Sequence, residues 1–326
     1  MKNLLTTQFC GLELSSPIIA GSSSLTNNVK HIQEIEKAGA GAIILKSLFE
    51  EEIYHEHKAV VNDENLSATD YENLDYLDYF IKHRNTDKHL ELLREAKKSV
   101  SIPIFASINC TRKREWLDYI NKFEDAGADG IEINLYKSVS HNKTGGEIEA
   151  EQLKLIRDIV DTASKPIIVK ISSHHANILG FVKELDNIGV SAITMFNRFY
   201  MPDIDINTEE IVSGDIFSHC DEYQIPLRWI GLSSSHLSCD ISASTGVHVS
   251  SSAIKMILAG AATVQLTSVL YKKGIDYIGV INRNIEDWMK TKGYTSTSDF
   301  RGKLGVHKEN LSLLERSQFM RYFTDK

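Results

Sequence analysis

Short apolar runs alternate with amphipathic stretches along most of this chain. The apolar residues 17–21 precede a helical pattern at residues 29–39, and a second apolar run follows at residues 41–47. Gly39 stands at the end of the helical pattern, where glycine commonly terminates a helix. This order predicts a strand, a helix and another strand in one βαβ unit.

The same order recurs toward the carboxyl end. Further strands are predicted at residues 102–109, 130–136, 166–172, 192–197, 226–232, 239–245 and 263–268, and helices at residues 114–127, 147–163, 251–260 and 277–292. Buried parallel strands that alternate with helices predict an α/β fold, and about eight such units close into a TIM (β/α)8 barrel. We expect one domain over residues 1–326. An open doubly wound sheet is the alternative, but no GxGxxG follows the first strand.

Three places depart from the repeat. Polar residues 50–88 and 198–224 each follow a predicted strand, at the end where a barrel carries its catalytic loops. Only six residues separate the predicted strands 226–232 and 239–245, which is too few for a covering helix. We therefore expect that unit of the barrel to be irregular.

Composition and charge narrow the classes of partner. The formal net charge of −8 disfavours nucleic acid, and the apolar runs are shorter than the roughly 20 residues that cross a bilayer. The four cysteines show no CxxC spacing, so we expect reduced thiols in a cytoplasmic protein with no iron–sulfur cluster and no metal site.

Polar residues end most of the predicted strands, where a barrel places its active site. They are Ser22, Lys46, Ser47, Asn109, Asn134, Lys170, Asn197, Gly231, Thr245, Gly246, Thr267 and Ser268. Lys46 and Lys170 would bring positive charge to one mouth, which suits an anionic cofactor or a developing anion. Either lysine alone is equally well explained as a side chain that reaches solvent at the rim.

The loops after the last two strands are candidates for a phosphate site. Gly246 permits close approach of a ligand to the backbone, and Thr267 and Ser268 offer hydroxyls and amides. Ordinary helix capping is the alternative explanation for each loop alone. Asn109, Asn134 and Asn197 could present amides to a planar heterocycle, or serve only as turn residues.

The segments PIIAGSSS, AGAGAIILKS, IEINL, PIIVKIS, STGV, LAGAATVQLTSVLYKKG and KGYTSTSDFRGKLG resemble the dihydroorotate dehydrogenase family from about residue 4 to 305. The resemblance implies an FMN-dependent oxidoreductase of pyrimidine biosynthesis that acts on a CH–CH bond. It implies that a base removes a proton from C5 of dihydroorotate while the C6 hydride passes to FMN, giving orotate. It also points to the soluble, homodimeric branch of the family.

The resemblance also assigns residues. Ala20, Gly21 and Ser22 would lie against the flavin, with polar contacts from Lys46, Ser47, Asn134, Lys170 and Gly231. Gly246, Val247, Thr267 and Ser268 would hold its phosphate, which agrees with the loops chosen from barrel geometry. Lys46 and Asn197 would contact the substrate.

Two substrate loops depart from the family pattern. Where the family has NLSCPN, this chain has NLYKSV, so Lys137 occupies the position of the base and Val139 that of a substrate asparagine. A lysine acts as a base when its pKa falls from about 10.4 toward 7. We expect Lys137 to accept the proton, with Ser138, Ser140 and His141 as substitutes; a solvated loop lysine is the alternative. The stretch SATDYENLDYLDY likewise replaces a family run of the type NSMGLPN.

Other functions remain open at this point. A phosphate-binding barrel lyase or isomerase without flavin would be colourless, whereas a flavoprotein would be yellow. A tRNA-reducing flavin barrel would need a basic face, which the net charge of −8 disfavours. A flavin-binding homologue with no catalytic activity is the remaining alternative, because the altered loop lacks the family's base.

Overall fold

A computed structural model describes residues 3–49, 74–109, 113–136, 142–199, 201–304 and 314. The strands are β1 Thr7–Phe9, β2 Leu12–Leu14, β3 Ile18–Ala20, β4 Ala42–Ile44, β5 Leu48–Phe49, β6 Ile104–Asn109, β7 Gly130–Asn134, β8 Ile167–Ile171, β9 Ala192–Met195, β10 Pro202–Asp205, β11 Glu210–Ser213, β12 Asp240–Ala243 and β13 Thr263–Leu266. The helices are α1 Val29–Lys37, α2 Leu74–Ser99, α3 Lys113–Asp125, α4 Gly145–Val160, α5 Ile178–Ile188, α6 Gln224–Ser233, α7 Ser250–Ala259, α8 Ser268–Lys273 and α9 Tyr277–Lys292.

In the part of the chain so described, eight parallel strands form a closed barrel. Neighbouring strands follow the order β4, β3, β13, β12, β9, β8, β7, β6, and pairing of β6 with β4 closes the ring. Short β5 continues alongside the end of β6. Helices surround this barrel, which is the predicted TIM (β/α)8 fold, and the closed ring excludes the open doubly wound sheet.

Local sequence sets the ends of the helices. Asn28 caps α1 by accepting a hydrogen bond from the His31 N–H, and Thr144 caps α4 through the Glu147 N–H. Gly39 has φ of +90° just beyond α1, so it takes the left-handed conformation expected of a terminating glycine. The predicted helix at residues 277–292 is confirmed with the same bounds.

The inside of the barrel changes from apolar to polar along its axis. Near the amino ends of the strands, Ile19, Ile44 and Phe105 pack together with Phe9 and Leu14 of the β1–β2 hairpin. Because side chains alternate between the two faces of a strand, the inward positions that follow these residues are polar. The hairpin fills the amino end of the barrel, so the open site lies at the carboxyl end.

The predicted strand at residues 226–232 is wrong, since this run lies within helix α6. Pro226 lies in the first turn of α6, where backbone N–H groups have no partner within the helix. Proline lacks this N–H, so it costs no helical hydrogen bond there. Helix α6 is therefore the covering helix that the spacing before β12 had seemed to exclude. Gly231 is buried on α6, and an added Cβ would lie 2.5 Å from the Leu314 side chain. Gly231 thus does not end a strand, and its contact with the flavin, which the resemblance implies, stays a prediction.

Both polar insertions contain regular secondary structure among their described residues. Helix α2 begins at Leu74, so the second part of residues 50–88 is helical, while residues 50–73 lie outside the described residues. Residues 198–224 contain the antiparallel hairpin of β10 and β11, in which Ile204 pairs with Ile211. This hairpin projects from the loop after β9, beside the carboxyl end of the barrel.

Candidate active site

A cavity of about 160 Å3 opens at the carboxyl ends of the strands and brings eight predicted residues together. These are Ser22, Lys170, Asn197, Thr245, Gly246, Val247, Thr267 and Ser268. Gln265 also lines the cavity. Residues far apart in sequence therefore meet where barrel geometry predicted.

One side of this cavity is suited to an anion. Gly246 and Val247 are buried, and within the described part of the chain no acceptor takes the N–H of either residue. Thr267 and Ser268, which follow β13, line the same cavity and carry hydroxyl groups. Buried N–H groups without acceptors are rare in proteins, and a phosphate oxygen is a suitable partner.

Gly246 also has a packing role that the sequence did not show. Its φ is +73°, and an added Cβ would lie 2.1 Å from the backbone nitrogen of Tyr223, just before α6. The absence of a side chain thus lets the loop after β12 sit against the start of α6.

We expect Gly246→Ala to lower the free energy of unfolding by about 2 kcal/mol, because a methyl group would clash with fixed backbone. Gly293→Ala is the matched control: Gly293 has φ of +74° but nothing within 4 Å of an added Cβ. It should cost only about 1 kcal/mol, the penalty of the left-handed conformation. Urea unfolding of both variants measures the difference, and equal losses would contradict the packing role.

Beneath the cavity lies a buried polar network. The Glu132 side chain on β7 is fully buried, and its Oε2 accepts hydrogen bonds from Thr194 Oγ1 at 3.0 Å and Gln265 Nε2 at 2.7 Å. Lys170 Nζ lies 3.6 Å from Glu132 Oε1 and donates to Gln265 Oε1 at 3.3 Å. Glu132 and Gln265 together therefore hold the Lys170 ammonium at the floor of the cavity.

A chain of hydroxyls links the first three barrel strands. Ser22 Oγ lies 3.0 Å from Ser47 Oγ, which in turn lies 2.7 Å from Ser107 Oγ on β6. The Ser47 N–H also donates to Ser22 Oγ at 2.9 Å. These contacts fix Ser22 at the cavity wall and place Ser47 directly behind it.

Gly21 and Ala20 occupy different surroundings. An added Cβ on Gly21 would lie 2.6 Å from Thr267 Oγ1, so only glycine allows the loops after β3 and β13 to approach this closely. The Ala20 side chain is fully buried within the apolar core that includes residues of the surrounding helices. Any contact of Ala20 with a flavin would therefore use its backbone.

The two strand-end asparagines form a pair. Asn197 Nδ2 donates to Asn134 Oδ1 at 3.0 Å, which joins the ends of β7 and β9 across β8. Burial lowers the pKa of His89 to about 4, and the charge of Lys46, which follows β4 on the same rim, adds to this shift. His89 is consequently neutral near pH 7 and adds no positive charge beside Lys46.

Sequence reasoning missed the residues beneath the rim, above all Glu132, Gln265 and Ser107. A signal was present: Glu132 precedes Asn134 by two positions, so both point to the same face of an otherwise apolar strand. Gln265 likewise precedes Thr267 by two. The expected base Lys137 lies outside the described residues, as do its substitutes Ser138, Ser140 and His141.

The family model for dihydroorotate dehydrogenase matches residues 4–289. The chain belongs to the dihydroorotate dehydrogenase family. Its members are flavin-dependent in general, and membership makes this protein an oxidoreductase of the dihydroorotate dehydrogenase type.

Individual relatives in the dihydroorotate dehydrogenase family are distant but align over nearly the full length. Dihydroorotate dehydrogenase B (NAD(+)), catalytic subunit, from Thermoplasma volcanium is 25% identical over 285 residues, which is 83% of this chain and 88% of the relative. Dihydroorotate dehydrogenase (fumarate) from Lachancea kluyveri is 24% identical over 327 residues, covering 93% and 99%. The sequence match thus extends over most of the chain at low identity.

Neither a membrane-spanning helix nor a metal-binding cluster occurs among the described residues. No helix among them is long and apolar enough to cross a membrane. No group of three or more His, Cys, Asp or Glu side chains in these ranges is placed to hold a metal ion.

Proposed function

We propose that this protein binds FMN and uses it to oxidise a CH–CH bond of dihydroorotate or a related small carboxylated compound. The observation that carries this proposal is one cavity that joins the backbone N–H groups of Gly246 and Val247, which have no acceptor among the described residues, to the Lys170 ammonium. An FMN molecule has an anionic phosphate at one end and a polar ring edge at the other. The two parts of the cavity fit these two ends.

The phosphate end would be held by backbone rather than by a charged side chain. Gly246 and Val247 would donate their N–H groups, and Thr267 and Ser268 would add hydroxyls from the facing loop. Ser268 Oγ accepts a hydrogen bond from the Ser218 N–H at 3.0 Å, which fixes this hydroxyl in place. The site is therefore preorganised for a phosphate.

At the ring end, bound FMN supplies the hydride acceptor. Lys170 would place its ammonium against the carbonyl edge of the ring, where negative charge develops on reduction. Ser22, Ser47 and the Asn134 amide would supply further hydrogen bonds to the same ring. Glu132 keeps Lys170 in position for this role.

The substrate would lie above the ring between Lys46 and Asn197. Asn197 is turned toward Asn134 by their hydrogen bond, which orients its amide for a carboxylate or carbonyl group. Lys46 would attract the substrate carboxylate. We further propose Lys137 as the group that takes the proton, because it occupies the family's base position in NLYKSV.

The test is anaerobic mixing of the purified, FMN-loaded protein with dihydroorotate while the visible absorbance of the flavin is followed. Loss of the flavin band with formation of orotate is the expected result. If the purified protein neither carries flavin nor binds added FMN, the proposed cofactor is wrong. If the bound flavin stays oxidised, the proposed cofactor stands and dihydroorotate is not the substrate.

For the proposed base, Lys137→Ala should slow flavin reduction by about 100-fold, a usual contribution of general base catalysis. FMN affinity should be unchanged, because the residue is assigned to the substrate. Lys143→Ala provides a control on a nearby exposed lysine. An unchanged rate of flavin reduction in Lys137→Ala would remove this residue from the mechanism.

We also propose a homodimer formed through the β10–β11 hairpin. Ile204 and Ile211 are cross-strand partners that are 63% and 80% exposed, and Ile206 is 85% exposed. Apolar side chains concentrated on one projecting hairpin commonly mark a protein interface.

Ile204→Glu combined with Ile211→Glu is expected to convert a dimer into a monomer, because buried carboxylates would face each other without counter-ions. Light scattering after size-exclusion chromatography measures the mass. Leu304→Glu, at another exposed apolar position, is the control and should leave the mass unchanged. A dimer that survives the double substitution would place the interface elsewhere.

A further inference from the structure

A second and larger cavity of about 440 Å3 adjoins the proposed active site. It lies between the loop after β8, residues 196–199 and 201–203, and the beginning of α6, and we call it the outer cavity. Asn197, Arg198 and Thr245 line both this cavity and the smaller one. A ligand held by Asn197 thus has direct access to the outer cavity.

The walls of the outer cavity are mainly aromatic and aliphatic. The His174 ring packs edge-to-face on Phe199 with 4.4 Å between centroids, and Phe199 packs on Tyr136 at 5.7 Å. Phe196 forms a buried part of the lining, and Ile225 and Pro226 of α6 also line it. This lining suits a flat ring or a branched aliphatic group.

Arg198 forms a fixed wall between the two cavities. Its guanidinium donates to Glu222 Oε2 at 2.9 Å and Oε1 at 3.3 Å, and to the carbonyl oxygens of Asp215 and Ile216 at 2.8 and 3.1 Å. Burial alone would raise the pKa of Glu222, but the hydrogen bonds from Arg198 and from the His219 N–H lower it, so Glu222 is ionised. Glu222 thus neutralises the charge of Arg198, and these hydrogen bonds hold its guanidinium in the wall between the cavities.

The charge of the outer cavity differs from that of the barrel mouth. Its described lining residues include three carboxylates, those of Asp203, Asp215 and Glu222, and one guanidinium, that of Arg198. His219 Nε2 lies 2.7 Å from Asp215 Oδ2. The outer cavity therefore disfavours a second anionic group, whereas Lys170 at the barrel mouth favours one.

We propose that the outer cavity binds an apolar or aromatic extension of the substrate that is neutral or positively charged. This inference rests on the proposed function, and it narrows the substrate class to carboxylated compounds larger than dihydroorotate. The reacting part would lie at Asn197 and Lys46, and the extension would pass Arg198 to pack against Phe199 and Ile225. Tyr136, at the start of the altered NLYKSV loop, supports Phe199 in this wall.

The test compares orotate with its benzyl derivatives, substituted on ring nitrogen N1 or N3, by isothermal titration calorimetry on the FMN-loaded protein. At least one derivative should bind about tenfold more tightly than orotate, because burying the phenyl ring against an apolar wall is favourable. Phe199→Ala and Ile225→Trp should abolish this gain, the first by removing the wall and the second by filling the space. Tyr277→Ala is the control, because Tyr277 lines neither cavity.

A charged series tests the second half of the inference. A para-carboxybenzyl derivative should bind about tenfold more weakly than its benzyl counterpart, while a para-aminomethylbenzyl derivative should not. Equal affinity of the carboxybenzyl compound would overturn the charge assignment. Benzyl derivatives that bind no more tightly than orotate, or a gain that survives Ile225→Trp, would overturn the outer cavity as a substrate site.

The same titrations separate this inference from the proposed function. If orotate binds and the benzyl derivatives gain nothing, the extension is rejected and the proposed function stands. If a benzyl derivative binds through Phe199 while dihydroorotate leaves the flavin oxidised, the cavity is supported and dihydroorotate is rejected. If none of these compounds binds, both are rejected.

Discussion

Glu132→Ala should lower the free energy of unfolding by about 4 kcal/mol, because removing one partner from a buried ion pair leaves the other charge without compensation. The Glu132 side chain is fully buried, and its Oε1 lies 3.6 Å from Lys170 Nζ. Thr194 Oγ1 would lose its acceptor, and Gln265 Nε2 would keep only Thr194 Oγ1. Urea unfolding at neutral pH measures the loss.

Two comparisons make the Glu132 result specific. Asp118→Ala breaks an exposed pair with Lys122 and should change stability by at most about 0.5 kcal/mol. The double variant Glu132→Gln with Lys170→Met removes both charges and keeps the side-chain volumes, so it should recover much of the lost stability. A Glu132→Ala protein that unfolds at the wild-type urea concentration would refute the coupling of Glu132 to Lys170.

Lys170→Met is expected to slow reduction of bound FMN by dihydroorotate by about 100-fold, because the ammonium no longer stabilises the charge that develops on the ring. FMN affinity should fall about tenfold or more through loss of a charged hydrogen-bond donor. Stopped-flow absorbance measures the rate, and the fluorescence of released FMN measures the affinity.

Lys170→Met also leaves Glu132 buried without its cation, so stability and catalysis must be separated. The double variant with Glu132→Gln removes this stranded charge. It should regain stability while both the rate and the FMN affinity stay low. Lys154→Met, at an exposed position of α4, is the matched control for loss of a lysine charge. Recovery of the wild-type rate in the double variant would contradict a role of the ammonium in catalysis.

The candidate site was partly predictable because it follows from barrel geometry. Carboxyl ends of parallel strands face one rim, so Ser22, Lys170, Asn197, Gly246 and Thr267 were expected to meet, and they line one cavity. The network below the rim was not predicted, because which inward side chains touch depends on the register between strands. Lys170 pairs in register with Asn134 on one side and Thr194 on the other, which brings Glu132 within reach.

The error at residues 226–232 has a definite physical cause. A short apolar run flanked by polar residues fits a buried strand and a packed helix equally well. Here the run packs as α6 against α7 and β12, and the buried face is completed by Ile230, Gly231 and Leu232. Only the neighbours in space distinguish the two structures.

By itself, the sequence determined the alternation of strands and helices, the barrel that follows from it, and the position of the loops at Gly246 and Thr267 on one rim. These features depend on local periodicity and on turn residues, which neighbouring positions encode. Only the tertiary structure decided the close approach of Gly246 to Tyr223, the burial of Glu132 beneath Lys170, and the outer cavity beside Asn197. Each of these depends on distances between residues that lie far apart in sequence, and closure of the barrel sets those distances.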